Sequence, residues 1–372
     1  MHIGIPKEIK VHEYRVGLTP EAVKELSNQG HAVHVQTQAG NQAGFKDESY
    51  RAAGAKILPD AAAVFEESEL IFKVKEPQAQ EYPLLRPKHT LFCFLHLAAD
   101  LPQTEALLKS ECMAIAFETV THPQGGLPIL APMSEIAGRL SVQKAAFYLE
   151  KINGGPGMLM GGIAGVSPAK ILVMGGGVAG TQAIAVALGM GAQVIVFDKS
   201  LDRLKWLQNQ FGAGLITKYA TQAAIEEELP QADVVIGAVL IPGASAPKLI
   251  TAEMASLLKP GCVLVDIAID QGGCFAASRP TTHADPVYVE NNSTYYCVTN
   301  MPGAIPKTST QALSNACLPY VLNLAKHGGP KACQMDSNLL KGLNVWKGQV
   351  THEAVAEALR QPYTNPSTLI SA

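Results

Sequence analysis

Along the first third of the chain, short apolar runs alternate with longer segments whose apolar residues recur every three or four positions. Residues 2–6, 32–37, 69–74, 90–95 and 113–117 are short and rich in β-branched or aromatic side chains, a pattern that predicts strands. Between them, Thr19-Pro20 opens a helix through residue 29, and residues 101–109 have helical spacing with a proline at the start. Strands separated by helices predict a parallel α/β sheet.

From residue 131 the pattern changes. Ser134 is placed to cap a helix over 134–151, which Gly154-Gly155-Pro156-Gly157 would stop, and which could serve as a strut between two α/β blocks. Beyond it the pattern reads strand 170–174, helix 178–190 and strand 193–197. Further strands follow at 232–239 and 262–269, with helical segments at 221–229 and 251–258. This predicts a second doubly wound domain. After Pro306 the chain is helical again, with one apolar stripe over 310–326 that could complete the first domain. The expected fold is therefore α/β, with two doubly wound Rossmann-like domains built on parallel sheets and linked by long helices. One domain is discontinuous (1–130 and 307–372), and the other spans 131–306.

Composition sharpens this picture. Charged residues make up 16% of the 372, against about 25% in typical soluble domains, while 47% are hydrophobic. That balance excludes intrinsic disorder. The net charge of -3 and a pI near 6.4 argue against a nucleic-acid binder, which needs a basic surface to displace phosphate counterions. The deficit is local: residues 1–90 hold 23 charged side chains, whereas 131–200 and 234–302 hold 8 each. Residues 171–197 contain no charge at all and are long enough to span a bilayer, but six glycines with Thr181, Gln182 and Gln193 interrupt them. A buried strand, helix and strand fits better than a membrane span. No secretory leader is visible, and the seven cysteines are scattered without a C-x-x-C pair. A cytoplasmic setting is expected, with neither a disulfide framework nor a metal site. Asn323 and His327 lie four apart on a helix but have no acid beside them to complete a metal set.

Gly175-Gly176-Gly177-Val178-Ala179-Gly180 satisfies G-x-G-x-x-G. Such a match is weak alone, but here it follows a strand, opens a helix, and precedes Asp198 at the end of the next strand. That context points to NAD. Gly175 permits the tight turn, Gly177 lets the backbone approach a pyrophosphate, and Gly180 lets helix and strand pack closely. The helix start supplies N–H groups and a positive dipole for phosphates. Asp198 is suited to accept from a ribose 2′-hydroxyl and to repel a 2′-phosphate, with Lys199 and Arg203 weakening that preference. Val239-Leu240 and the run 266–270 end further strands on the same side. Asp270 could act on a substrate there, or simply cap a turn.

If a dinucleotide binds, hydride transfer needs a proton donor or acceptor, and a small anionic substrate needs cations. Imidazole suits the first role. His96 follows the apolar strand Phe92-Cys93-Phe94-Leu95, although a lone histidine there could equally be a core residue. Lys75 follows Ile71-Phe72-Lys73-Val74, and by the period-two rule Lys73 and Lys75 could be no more than a solvated pair. Arg15 lies in a polar segment and could be a surface arginine.

Taken together, these residues resemble the alanine dehydrogenases, a family related to the NAD-binding subunit of proton-translocating transhydrogenase. The resemblance covers nearly the whole chain. It is carried by Pro6-Lys7-Glu8, Glu13-Tyr14-Arg15-Val16, Leu18-Thr19-Pro20, Val74-Lys75-Glu76-Pro77, His96, and Met133-Ser134-Glu135-Ile136-Ala137-Gly138. The glycine turn, Asp270 and Asn300-Met301-Pro302-Gly303-Ala304 complete it. The resemblance implies reversible oxidative deamination of L-alanine to pyruvate and ammonia with NAD, in a homohexamer. It further implies that Arg15 and Lys75 bind the substrate, that His96 and Asp270 are the catalytic pair, and that residues 1–130 with 307–372 hold the substrate. Cofactor contacts are implied for Ser134, Gly175, Gly177, Val178, Ala179, Gly180, Asp198, Arg203, Val239, Leu240, Ile267, Asp270, Asn300 and Met301. Ala220 and Lys307 depart from the family pattern, where relatives often carry Ser and Arg. Three rival readings stay open: a transhydrogenase subunit, a dehydrogenase of another amino acid, and a noncatalytic nucleotide sensor. The joint presence of Arg15, Lys75, His96 and Asp270 argues against the last.

Overall fold

The computed structural model describes residues 1–239 and 246–371. Its strands in chain order are β1 (His2–Ile5), β2 (Ala32–Gln36), β3 (Lys56–Leu58), β4 (Leu70–Phe72), β5 (Thr90–Cys93), β6 (Met113–Ala116), β7 (Lys170–Met174), β8 (Gln193–Asp198), β9 (Leu215–Tyr219), β10 (Val234–Gly237), β11 (Val263–Asp266), β12 (Val287–Glu290), β13 (Ser293–Tyr296), β14 (Leu343–Trp346) and β15 (Gln349–Val350). The chain divides into two compact units, Met1–Met133 with Gly303–Ala372, and Ser134–Pro302.

The first unit is built on one sheet in the order β15-β14-β6-β5-β4-β1-β2-β3. Strands β1 to β6 pair in parallel, and the C-terminal segment returns to add β14 antiparallel to β6, with β15 beyond it. The second unit's sheet runs β12-β13-β11-β10-β7-β8-β9, parallel except at the β12–β13 edge. In each sheet the chain order reverses beside the first strand, β1 or β7, so loops leaving the C-terminal strand ends diverge there and open a crevice. Both sheets are of the doubly wound type that the strand and helix alternation predicts.

Side-chain alternation explains why the second sheet carries so little charge. Ile171, Val173, Val194, Val196, Val234, Ile236, Val263 and Val265 belong to one core. Their neighbours Leu172, Met174, Ile195, Phe197, Val235 and Leu264 belong to the core on the opposite face. Parallel strands covered on both faces are apolar at nearly every position. The uncharged run 171–197 is accordingly β7, the helix Val178–Gly189 and β8, and no helix among the described residues is long and apolar enough to cross a membrane.

Local chemistry sets the helix starts. The side chains of Thr19, Asp100, Ser200, Thr221 and Thr251 each accept from the N–H three residues on, at the starts of the helices Pro20–Asn28, Leu101–Ser110, Leu201–Phe211, Gln222–Glu228 and Ala252–Ala255. Ser134 does not play that part. The helix runs Ala131–Leu149, so Ser134 sits inside its first turn, and the helix ends before the glycines at 154–157. The apolar run 262–269 is likewise not one strand, because β11 ends at Asp266 and the backbone tightens into a 3-10 turn, Ile267–Gln271. The expected helix over 251–258 is a single turn.

Two cations that could have been solvated are buried. Lys73 is fully buried, donating to Glu81 Oε1 at 2.8 Å and Glu8 Oε2 at 3.2 Å. Arg15 is 2% exposed. All seven cysteines are buried and free.

His89 is buried just before β5, its Nδ1 accepting from Arg86 N at 3.0 Å and its Nε2 2.9 Å from Phe65 O. The neutral Nε2–H tautomer satisfies both contacts, and a second proton on Nδ1 would face a donor. Burial holds its pKa below the ordinary 6.5, outweighing the Phe65 hydrogen bond. The unfolded chain therefore takes the proton first, so this contribution to stability is complete above pH 6.5 and falls as pH drops towards the folded value. Denaturant midpoints measured from pH 7.5 to 5.5 are expected to decline, and less steeply in His89→Asn.

Candidate active site

In the second unit, β7 runs straight into the glycine turn. Gly175 has φ +98°, and a Cβ there would lie 2.8 Å from Val239 Cγ2, so β10's exit loop packs directly against the turn. A Cβ at Gly180 would lie 1.9 Å from the Gly175 carbonyl oxygen, which makes glycine obligatory for the helix to start this close to β7. At Gly177, by contrast, a Cβ would meet nothing within 4 Å, and no side chain caps the helix Val178–Gly189 that begins there. Unused N–H groups at a twelve-residue helix start, with backbone open to approach, fit a pyrophosphate. Ser134 lies one turn before Gly138, where a Cβ would come within 2.1 Å of Ala179 O, so the helix bearing Ser134 abuts the same helix start.

Asp198 ends β8, its Oδ2 accepting from Gly176 N and its Oδ1 from Ser200 N, each at 2.8 Å. It fixes the turn, and each oxygen retains a further lone pair for a ribose hydroxyl. Arg203 folds over the loop instead of reaching outward. Its Nε donates to Gly176 O at 2.5 Å, its Nη2 to Thr181 Oγ1 at 2.6 Å, and its guanidinium stacks on Trp206 at 4.1 Å. That posture commits the cation to the loop rather than to a 2′-phosphate.

Asp270 is exposed on the 3-10 turn after β11, not at the strand end. Its position depends on two opposite charges that the sequence pattern did not single out. Buried Asp266 accepts from Ala268 N (3.1 Å), Cys274 N (2.8 Å), Phe275 N (3.4 Å) and the Ser278 hydroxyl. Burial raises its pKa, with those donors pulling the other way. Lys248 Nζ gathers carbonyls of the same loop, Gly272 at 2.6 Å, Gly273 at 3.0 Å and Phe275 at 3.1 Å. Ile267 is half-buried on this turn, Asn300 adopts φ 61°, and Met301 is buried in the adjoining core. Leu240, expected beside Val239, lies outside the described residues.

In the first unit, Arg15, Lys75 and His96 lie on loops that follow β1, β4 and β5. Glu13 grips Arg15 bidentately, Nε to Oε1 at 2.7 Å and Nη2 to Oε2 at 2.6 Å, while Nη1 contacts Met133 Sδ at 3.1 Å. A buried, forked pair of this kind fixes the guanidinium plane. Lys75 Nζ lies 5.9 Å from the Phe94 ring centroid, and the same ring stacks on His96 at 5.8 Å with an interplanar angle of 5°. Phe94 thus packs against both Lys75 and His96.

His96 itself has φ 52° and ψ 37°, a left-handed conformation that costs a non-glycine residue about 1–3 kcal/mol. Glu118 on the turn Phe117–Thr119 after β6 offsets this, accepting from His96 N at 2.6 Å and Leu95 N at 3.2 Å, with Oε1 3.9 Å from the His96 Nδ1. The sequence reading missed Glu118. The available signal was an acid just past a strand end, the same cue that marked Asp198.

Two Rossmann-like units, one with an open glycine turn and the other with a cation and imidazole cluster at its strand ends, define a two-domain dinucleotide-fold oxidoreductase. The chain belongs to the alanine dehydrogenase/PNT family: the N-terminal domain model matches residues 4–137 and the C-terminal domain model matches 141–353. It is 53% identical over 370 residues to an alanine dehydrogenase of Halomonas elongata, covering 100% of both chains. It superposes on a solved L-alanine dehydrogenase with a TM-score of 0.94 at 48% identity, covering 97% of this chain and 99% of that one. A transhydrogenase from Sinorhizobium meliloti matches less closely, with a TM-score of 0.80 at 27% identity over 95% and 100%.

Gly180→Ala puts a methyl onto backbone oxygen. The expected result is a loss of about 1–3 kcal/mol in chemical denaturation, from overpacking, together with weaker NADH binding by fluorescence titration. Parent-like values in both would show that the helix start is not so constrained.

Proposed function

We propose that the protein catalyses reversible oxidative deamination of L-alanine: L-alanine, NAD and water give pyruvate, ammonium, NADH and a proton. The observation that carries this reading is the end-to-end match to L-alanine dehydrogenase, at 48% identity and a TM-score of 0.94. The weaker match to transhydrogenase makes the subunit reading second. NAD, when bound, supplies the hydride acceptor.

The chain's own residues supply the rest. Arg15, its plane preset by Glu13, meets the substrate carboxylate, and Lys75 offers a compact charge beside the carbonyl carbon. Together they lower the cost of burying the substrate's charge. His96 takes and returns a proton as water adds to the imine carbon and ammonia leaves. Asp270 orients the water or ammonia and stabilises positive charge on nitrogen. The glycine turn (Gly175, Gly177, Val178, Ala179, Gly180) would hold the dinucleotide's pyrophosphate, with Asp198 accepting from its ribose and Arg203 bracing the turn. Ser134, Val239, Ile267, Asn300 and Met301 are the further cofactor contacts in this reading, with Leu240, which lies outside the described residues. In this proposal Ser134–Pro302 is the cofactor unit and the discontinuous unit holds the substrate, in a cytoplasmic homohexamer that light scattering would reveal.

Purified protein alone is expected to form NADH when given L-alanine and NAD. His96→Ala should lower kcat by roughly 100-fold or more, the scale of a lost general acid–base, while NADH titration stays parent-like. Alanine-independent behaviour that requires a second hydride-exchanging protein would favour the transhydrogenase reading. Asp198→Ala should raise the use of NADP relative to NAD, measured as a ratio of kcat/KM values.

A further inference from the structure

Two of the sequence motifs meet in the fold through one carboxylate. Glu8, of Pro6-Lys7-Glu8, leaves the end of β1, and Val74-Lys75-Glu76-Pro77 leaves the end of the adjacent β4. Glu8 Oε1 accepts from Val74 N at 2.6 Å and from Lys75 N at 3.3 Å. Its Oε2 faces Lys73 Nζ at 3.2 Å, and that ammonium also donates to Glu81 Oε1 at 2.8 Å. Glu81 Oε2 in turn accepts from Gln78 N at 2.8 Å. The segment 74–78 is therefore held at both ends by carboxylates, and the two carboxylates are tied to each other by one buried cation. All three side chains are within 2% of complete burial.

Such a network is a poor device for stability. Desolvating one ammonium and two carboxylates costs several kcal/mol per ion, and well-packed apolar residues often do as well. Burial raises the Glu8 carboxyl to about 7 despite the pull of Lys73, which shows how costly that charge is. What the network does supply is geometry, because the two amides that Glu8 grips belong to Lys75 and the residue before it.

We propose that Glu8 is the positioning residue for Lys75, fixing the Val74–Lys75 backbone so that the ammonium meets the keto or amino acid and not the nucleotide. This rests on the reading of Lys75 as a substrate contact. Lys73 and Glu81 hold Glu8 in the orientation that serves those amides.

The test uses the full-length enzyme with pyruvate, ammonium and NADH. Glu8→Ala removes the acceptor, Glu8→Gln keeps an acceptor but not the charge, and Lys75→Gln removes the substrate contact. Misplacing a reacting contact by about an ångström costs up to 10²-fold. Glu8→Ala is accordingly expected to raise the pyruvate KM about tenfold or more, and Glu8→Gln about threefold, with the NADH dissociation constant unchanged in both. In the Lys75→Gln background, either Glu8 change should add nothing further to the pyruvate KM. If Glu8→Ala does not fold, Glu8→Gln carries the test alone. A folded Glu8→Gln with unchanged pyruvate KM, or with pyruvate and NADH affinities falling together, overturns the proposal. So does full additivity with Lys75→Gln. An unchanged pyruvate KM in Lys75→Gln itself would instead overturn the substrate role of Lys75.

Discussion

Backbone N–H groups that leave the C-terminal ends of parallel strands have no ladder partner, and both units depend on carboxylates to satisfy them. Asp198 accepts from Gly176 and Ser200, Asp266 from Ala268, Cys274 and Phe275, Glu8 from Val74 and Lys75, and Glu118 from Leu95 and His96. At the buried donors, Val74, Ala268, Cys274 and Phe275, leaving the N–H unpaired would cost about 1–3 kcal/mol each. Each carboxylate therefore settles the course of a loop, and each of those loops bears or adjoins a candidate functional residue. This accounts for where the sparse charge of the chain is spent. The strands tolerate almost none, and these four acids are placed where strands give way to loops.

The left-handed backbone follows the same logic. His96 is held in left-handed backbone with Glu118 across its own N–H, and Gly175, with φ +98°, sits where Asp198 reaches the next amide along. A loop fixed by a charge-assisted hydrogen bond keeps its conformation without help from substrate, so less ordering remains to be done when ligands arrive. Glu13 does the same for Arg15 through side-chain atoms.

The strands buried on both faces were legible because their apolar runs are continuous: β7, β8 and β10 stand where the pattern places them. The edges were not. β9 and β12 are half exposed, and β14 and β15 are short antiparallel additions, so none carries a clear period. The apolar run 262–269 concealed the end of β11, because residues 267–269 stay largely buried in a 3-10 turn as they would in a strand. Ser134 resembles a cap, but Pro132 near the helix start was the better sign. Among the site residues, the glycine turn and Asp198 carry a spacing that names their chemistry. Glu8, Glu118 and Asp266 carry none, since their partners are main-chain amides that any sequence supplies. Lys73 and Arg15 look like surface cations until the acids that bury them, Glu8, Glu81 and Glu13, are seen to converge.

On this chain a hydride is expected to pass from the α-carbon of L-alanine to nicotinamide. The most direct measurement is to incubate the purified protein with L-alanine deuterated at the α-carbon and NAD, and to analyse the reduced nucleotide by mass spectrometry. The expected product is NADH carrying a single deuterium on the nicotinamide ring, formed in equal amount with pyruvate. Reduced nucleotide without deuterium, or no alanine-dependent reduction by the protein alone, would contradict it.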